Sequence, residues 1–189
     1  VGSWAAEALA RSGVGRLSLI DLDHVSESNI NRQVQANTDT LGQAKVLAMQ
    51  ARIALINPAC QVHAVEEFVS GENWPALLPA GVTAVIDACD QLKAKLAMAA
   101  WARERGADQP LFISCGAAGG KRRAHAVEVD DLAQTTHDPL LAQLRYRLRK
   151  QGAPAKGRIG VACVFSREAV APPDPSCAVE GEGDGSLNC

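Results

Sequence analysis

The chain has 189 residues, 47% of them apolar and 21% charged, with a formal net charge of -2. That apolar share excludes a disordered chain, and the near-neutral balance excludes a polycation, so any nucleic-acid contact must come from a local basic patch. The length suits one sizeable core, with room for an appended subdomain.

Residues 3–12 predict a helix capped by Ser3 and stopped by Gly13. Residues 16–21, Arg-Leu-Ser-Leu-Ile-Asp, read as a buried strand ending in an acid, and a polar loop follows to about residue 40. Residues 43–56 predict a helix with Ala44, Leu47, Ala48, Ala51 and Leu55 on one face, ended by Asn57-Pro58. Residues 60–66 alternate as a strand, and a short helix near 72–78 leads to a strand at 83–88. A helix over 91–105 runs to Gly106, and a strand at 111–115 opens into Gly116-Ala117-Ala118-Gly119-Gly120. A strand at 124–129, a helix at 139–150 and a strand at 159–165 complete the series.

This alternation predicts an α/β fold, a Rossmann-like and mostly parallel sheet with helices on both faces and its ligand at the carboxyl ends of the strands. The domain is expected over residues 1–170, with a Gly/Pro-rich, loop-like tail over 171–189. The chain enters a helical pattern at once and stops without a closing element. It therefore reads as a fragment with both ends missing and without the first strand of its sheet.

Six cysteines stand at 60, 89, 115, 163, 177 and 189, and four of them lie in apolar runs. Buried free thiols in a reducing cytosol explain those four better than a disulfide framework. No Cys-x-x-Cys pair is present, so a four-cysteine zinc site has no support. Neither a signal peptide nor a run of about 18 apolar residues appears.

Several residues suit nucleotide chemistry. Gly2 opens a helix, as the end of a phosphate loop does, although a simple turn before a helix reads the same way. Asp21 ends the next strand about twenty residues on, where a carboxylate takes hydrogen bonds from a ribose, or is merely a solvated strand end. Asp23, further out, reads as solvated. Lys45 lies in the first turn of its helix, where the macrodipole disfavours a cation by roughly 0.3–1 kcal/mol. That misplacement points to an anionic ligand, against the plainer reading of an exposed lysine. Asp90 follows the strand at 83–88 and suits the N-cap of the next helix. Asp87 projects from the strand itself. Phe68 taken alone reads as an ordinary core residue.

The string Asp21-Leu22-Asp23-His24-Val25-Ser26-Glu27-Ser28-Asn29-Ile30-Asn31-Arg32-Gln33, followed by Gly42-Gln43-Ala44-Lys45, is more specific. It resembles the ATP-binding segment of the ubiquitin-activating-like superfamily, which includes the sulfur-carrier adenylating enzymes of the ThiF and MoeB kind. Dinucleotide dehydrogenases do not carry it, and Arg32 and Lys45 would have no purpose near a hydride. The resemblance implies that Asp21 binds ribose and that Asn29, Arg32 and Lys45 reach the triphosphate. It also implies that Asp90 binds magnesium and that Phe68 lines the adenine. A guanidinium and an ammonium aimed at the charge that develops on the phosphates suit an adenylation transition state.

Three further segments resemble one branch of that superfamily, the tRNA threonylcarbamoyladenosine dehydratases. These are Gly116–Gly120 with Val127-Glu128-Val129-Asp130-Asp131-Leu132, then Thr135-Thr136-His137-Asp138-Pro139-Leu140, then Gly160-Val161-Ala162-Cys163-Val164-Phe165-Ser166. Lys121-Arg122-Arg123-Ala124-His125 departs from the branch, which has a less basic turn there. The branch implies ATP-dependent cyclisation of threonylcarbamoyladenosine in tRNA through a carboxyl-adenylate, with magnesium as cofactor and a homodimer as the assembly. It also implies a cysteine-desulfurase partner, for which Cys163, Cys177 and Cys189 are the candidate thiols, core or tail thiols being the plainer reading. A cytoplasmic enzyme is implied, any membrane association lying in a C-terminal segment beyond this chain. Adenylation of a sulfur-carrier C-terminus is the alternative reading, and a tRNA- or desulfurase-binding remnant without activity is a third. Basic residues at 145, 147 and 149, with clusters at 121–123 and at 156 and 158, suit a tRNA substrate or a solvated helix face equally.

Overall fold

A computed structural model describes residues 1–104 and 110–171. The chain divides into two compact units, Val1–Thr83 and Ala84–Cys189, where one domain was expected over 1–170. Gly106 and all of the expected tail except Ala171, with Cys177 and Cys189, lie outside the described residues.

The first unit carries α1 (Gly2–Arg11), β1 (Arg16–Ile20), α2 (Lys45–Ile56) and β2 (Gln61–Val65). β1 and β2 pair in parallel, Leu17 opposite Val62 and Leu19 opposite Ala64. Ala6 and Ala10 of α1 and Met49 and Ile53 of α2 pack with Leu17, Leu19 and Val62 to form the core. Glu7 couples the two helices, accepting from Arg11 Nε at 2.8 Å and from Arg52 Nε at 2.5 Å.

Two expectations fail in this unit. The cap of α1 is Val1, not Ser3, whose Oγ instead accepts the Val34 N–H at 3.3 Å and ties down the following loop. The buried face of α2 is Val46, Ala48, Met49 and Ile53; of the expected face Ala44 and Ala48 are buried, whereas Leu47, Ala51 and Leu55 face outward, Leu55 with 88% of its surface exposed. Both stripes are apolar and both obey the helical period, so packing against α1 and the sheet decides between them.

A run of turns occupies 71–78 in place of the short helix. Asn73 organises it: its Oδ1 accepts the Ser70 N–H at 2.7 Å and its Nδ2 donates to Phe68 O at 2.8 Å.

The second unit holds β3 (Ala84–Asp87), α3 (Leu92–Arg103), β4 (Leu111–Cys115), β5 (Val127–Asp131), α4 (Pro139–Lys150) and β6 (Ala162–Ser166). Its sheet has the order β3-β4-β6-β5, with β3–β4 and β4–β6 parallel and β5 antiparallel to β6. Residues 124–126 form a 3-10 turn, so β5 begins three residues later than the strand expected at 124, and β6 likewise starts at Ala162. Leu141, Leu144 and Leu148 of α4 are fully buried against Ala99, Leu132, Val161, Cys163 and Phe165. Trp101 and Phe112 meet edge to face with ring centroids 6.4 Å apart.

Two buried aspartates fasten the loops of this sheet. Asp131 Oδ1 accepts the N–H groups of Ala133 at 2.9 Å and Ile159 at 2.8 Å, and its Oδ2 accepts that of Gly160 at 2.7 Å. Asp138 caps α4 through the Leu141 N–H at 2.9 Å while its other oxygen accepts the Ala117 N–H at 2.8 Å. The approach requires glycine at 116, because a Cβ there would lie 2.1 Å from Asp138 Oδ2.

Candidate nucleotide site

Six of the predicted site residues, Gly2, Asp21, Asn29, Arg32, Lys45 and Phe68, belong to the first unit, and Asp90 belongs to the second.

Within the first unit two groups form. Asp21 Oδ1 accepts the Asp23 N–H at 2.9 Å, and Asp23 Oδ2 in turn takes Lys45 Nζ at 2.7 Å. Backbone bonds hold the same register: the Lys45 N–H donates to Asp23 O at 2.9 Å and the Val25 N–H to Gln43 O at 2.8 Å. Asp23 is exposed, as expected, and also forms an ion pair. That pair supplies an internal counter-charge for a lysine at a helix N-terminus, so its placement no longer demands a ligand by itself.

The second group surrounds Arg32. Asn29 is buried and closes a capping box, accepting the Ser26 N–H at 3.1 Å, so it shapes the loop that presents Arg32. Arg32 is exposed, and its Nη1 donates to Ser28 O and to Asn31 Oδ1. Trp4 Nε1 donates to Arg32 O at 3.0 Å, which joins this loop to the first turn of α1, opened by Gly2. Phe68 is 45% exposed and so is no ordinary core residue.

In the second unit Asp90 is exposed in the loop after β3. It does not cap α3, because Gln91 occupies that position. Beneath it lies a buried cluster that sequence reasoning missed. Asp87 Oδ2 accepts from Lys95 Nζ at 2.8 Å and from Ser114 Oγ at 2.6 Å, and Asp87 Oδ1 accepts the Cys89 N–H at 3.2 Å. The available signal was a lone lysine on the face of α3 that also carries Met98 and Ala99. Burial, reinforced by the Asp87 carboxylate, pushes Cys89 up to about 12, and burial pushes Cys163 to about 12.

An open hollow of about 350 Å³ lies at the start of α4, lined by Thr135, Thr136, His137, Asp138, Pro139 and Arg145 among others, and none of the predicted nucleotide residues reaches it. Among the described residues no group of three or more His, Cys, Asp or Glu is placed to hold a metal ion, and no helix is long and apolar enough to cross a membrane.

The model of the ThiF family matches residues 1–182. The chain belongs to the ThiF family. The match spans both units, so Asp21, Asn29, Arg32, Lys45, Phe68 and Asp90 all fall inside one ThiF region. The chain is 43% identical to the tRNA threonylcarbamoyladenosine dehydratase of Escherichia coli K12, over 98% of its own length and 70% of that protein. It is 43% identical to the enzyme of that name from Bacillus subtilis 168, over 89% of its own length and 63% of the relative. The chain thus spans roughly two thirds of the length of these ThiF relatives. The crystal structure of the E. coli dehydratase, TcdA, in complex with ATP is similar with a TM-score of 0.86 at 44% identity, covering 92% of this chain and 71% of that one.

Proposed function

We propose that this ThiF-family chain carries the ATP-using part of a tRNA threonylcarbamoyladenosine dehydratase. The observation that carries the reading is the likeness, in sequence and in fold, to a dehydratase crystallised with ATP.

In the proposed reaction an oxygen of the threonyl carboxylate attacks the α-phosphorus of ATP and the bond to pyrophosphate breaks. The neighbouring carbamoyl group then attacks the activated acyl carbon. AMP departs with the former carboxylate oxygen and a ring closes, so the nucleoside is lighter by one water. In its use of ATP the enzyme resembles a ligase. Residue roles follow the resemblance: Asp21 holds the ribose, Gly2 ends the phosphate loop, and Asn29, Arg32 and Lys45 serve the triphosphate. The exposure of Phe68 supports a ring open to the adenine.

Asp90 suits magnesium, because that ion needs only one or two carboxylates beside phosphate oxygens and water. When bound there, magnesium neutralises phosphate charge. The chain's own share is to position the nucleotide and offset its charge, which requires no cysteine nucleophile. A homodimer and a cysteine-desulfurase partner belong to the same proposal, as does a cytoplasmic location.

The test is direct. Incubate the protein with ATP, magnesium and threonylcarbamoylated tRNA, then digest the tRNA and weigh its nucleosides. A product lighter by one water, with AMP formed in equal amount, is expected. Pyrophosphate exchange driven by a Gly-Gly-ended carrier protein, with the tRNA left unchanged, would assign the sulfur-carrier chemistry instead.

A further inference from the structure

Residues 139–158 contain six basic side chains, Arg145, Arg147, Arg149, Lys150, Lys156 and Arg158, and no Asp or Glu, in a chain whose net charge is -2. The structure sorts these residues by task. Arg145 is taken by the fold: its Nη1 donates to Leu132 O at 3.1 Å, Thr135 O at 2.8 Å and Thr135 Oγ1 at 2.9 Å. Lys121 is similarly engaged, donating to the carbonyls of His137 at 2.7 Å, Ser166 at 3.3 Å and Glu168. The backbone N–H groups of Arg122 and Arg123 meet the Glu168 carboxylate, both at 2.9 Å, which places a negative charge beside that turn.

The other five remain on the surface. At 3.6 residues per turn, Tyr146 and Lys150 stand opposite the buried stripe of Leu141, Leu144 and Leu148, with Arg147 to one side and Arg149 to the other. Tyr146 is 59% exposed, and Lys150 Nζ lies 4.8 Å from the centre of its ring. Lys156 and Arg158 follow in the loop after the helix, both exposed, Arg158 by 86% of its side chain. The helix C-terminus also favours cations, and among the described residues Arg158 alone of the five has a carboxylate within ion-pair distance, its Nε lying 3.9 Å from Asp131 Oδ2.

An exposed aromatic ring set among guanidinium and ammonium groups matches RNA presented as a loop: an unpaired base stacks on the ring while flanking phosphates meet the cations. We propose that the outer face of α4 and the loop after it bind the tRNA, with Tyr146 as a stacking platform and Arg147, Arg149, Lys150, Lys156 and Arg158 as phosphate contacts. The proposal rests on the dehydratase reading and adds the surface that meets its substrate. Arg145 is excluded from that surface, although sequence alone groups it with the others.

The test measures binding of an unmodified tRNA transcript to the full chain across a salt series, with ATP binding measured in parallel. Replacing Arg147, Arg149 and Lys150 together by Gln is expected to weaken tRNA binding at least tenfold. The log–log salt slope should become shallower by about 2, close to 0.7 for each lost single-strand phosphate contact. Tyr146→Ala should cost roughly tenfold with the slope unchanged, and Tyr146→Phe should restore binding. ATP binding should not change in any variant. Variants that match the unaltered protein in affinity and slope overturn the proposal, as does equal loss of ATP binding, which would mean that the substitutions act through the fold. Failure of the unaltered protein to bind tRNA removes the dehydratase reading itself.

Discussion

Lys95 Nζ lies 2.8 Å from Asp87 Oδ2, and neither side chain reaches solvent. The carboxylate also takes the Ser114 hydroxyl from the neighbouring strand, so one buried acid ties together β3, β4 and α3. It lies three residues before Asp90, and the Cys89 N–H that it accepts belongs to the connecting loop. The pair positions that loop and is itself too buried to touch a ligand. Lys95→Met should destabilise the protein by about 3–5 kcal/mol, because it strands a buried charge. Adding Asp87→Leu should recover much of that loss. Urea unfolding midpoints of the unaltered protein and the two variants check this, and a double variant no better than the single one would sink it.

The thiols of Cys89 and Cys163 should resist alkylation. With both pushed up to about 12, less than a thousandth of either is thiolate at pH 8. Iodoacetamide labelling followed by peptide mass analysis should leave both unmodified in the native protein and label both in urea. Rapid native labelling of Cys163 would reopen a sulfur-carrying role for it.

The pairing of Lys45 with Asp23 leads to a separation of effects. A pair whose acid is half open to solvent contributes only about 0–1 kcal/mol to stability, so Lys45→Ala should barely alter the unfolding midpoint. If Lys45 serves the triphosphate, the same change should lower the rate of AMP formation by about a hundredfold or more. Asp23→Asn should spare most of that rate. Equal losses in stability and rate would instead assign Lys45 to the fold.

Acid should loosen the second unit through Asp131. Burial alone would raise its pKa, but the N–H groups of Ile159, Ala133 and Gly160 outweigh it and hold the carboxyl below its usual 3.8. A lowered folded value contributes stability that is complete above the unfolded value and fades as pH falls through the folded one. Urea midpoints should therefore drop below about pH 4, and Asp131→Asn should start lower at pH 7 and respond less to acid. An unaltered acid response in that variant would contradict this assignment.

Most of the element order was legible because helical and strand periods alternate cleanly along the chain. The buried face of α2 was legible only at Ala44 and Ala48, since Leu47, Ala51 and Leu55 satisfy the same period as Val46, Met49 and Ile53, and only tertiary packing separates them. Caps were misread for a related reason. Ser3 and Asp90 are good capping residues, but one holds a neighbouring loop and the other stands before Gln91, which takes the cap position. The direction of β5 was hidden because a strand's pattern does not state the sense of its partner. In the candidate site, the residue types of the string from Asp21 to Lys45 could be read, whereas their local partners could not. Lys95 escaped notice because a lysine in a helix normally marks solvent, and its burial depends on an acid eight positions earlier in the chain.

The contact between Gly116 and Asp138 also has a bearing on how such proteins are recombined. The glycine run after β4 and the Thr-Thr-His-Asp-Pro segment look like separate signatures in the sequence, yet the second grips the first with no space for a methyl group between them. A chimera that imports only one of the two from a relative would import half of a lock. Grafts across this fold should carry both segments or neither.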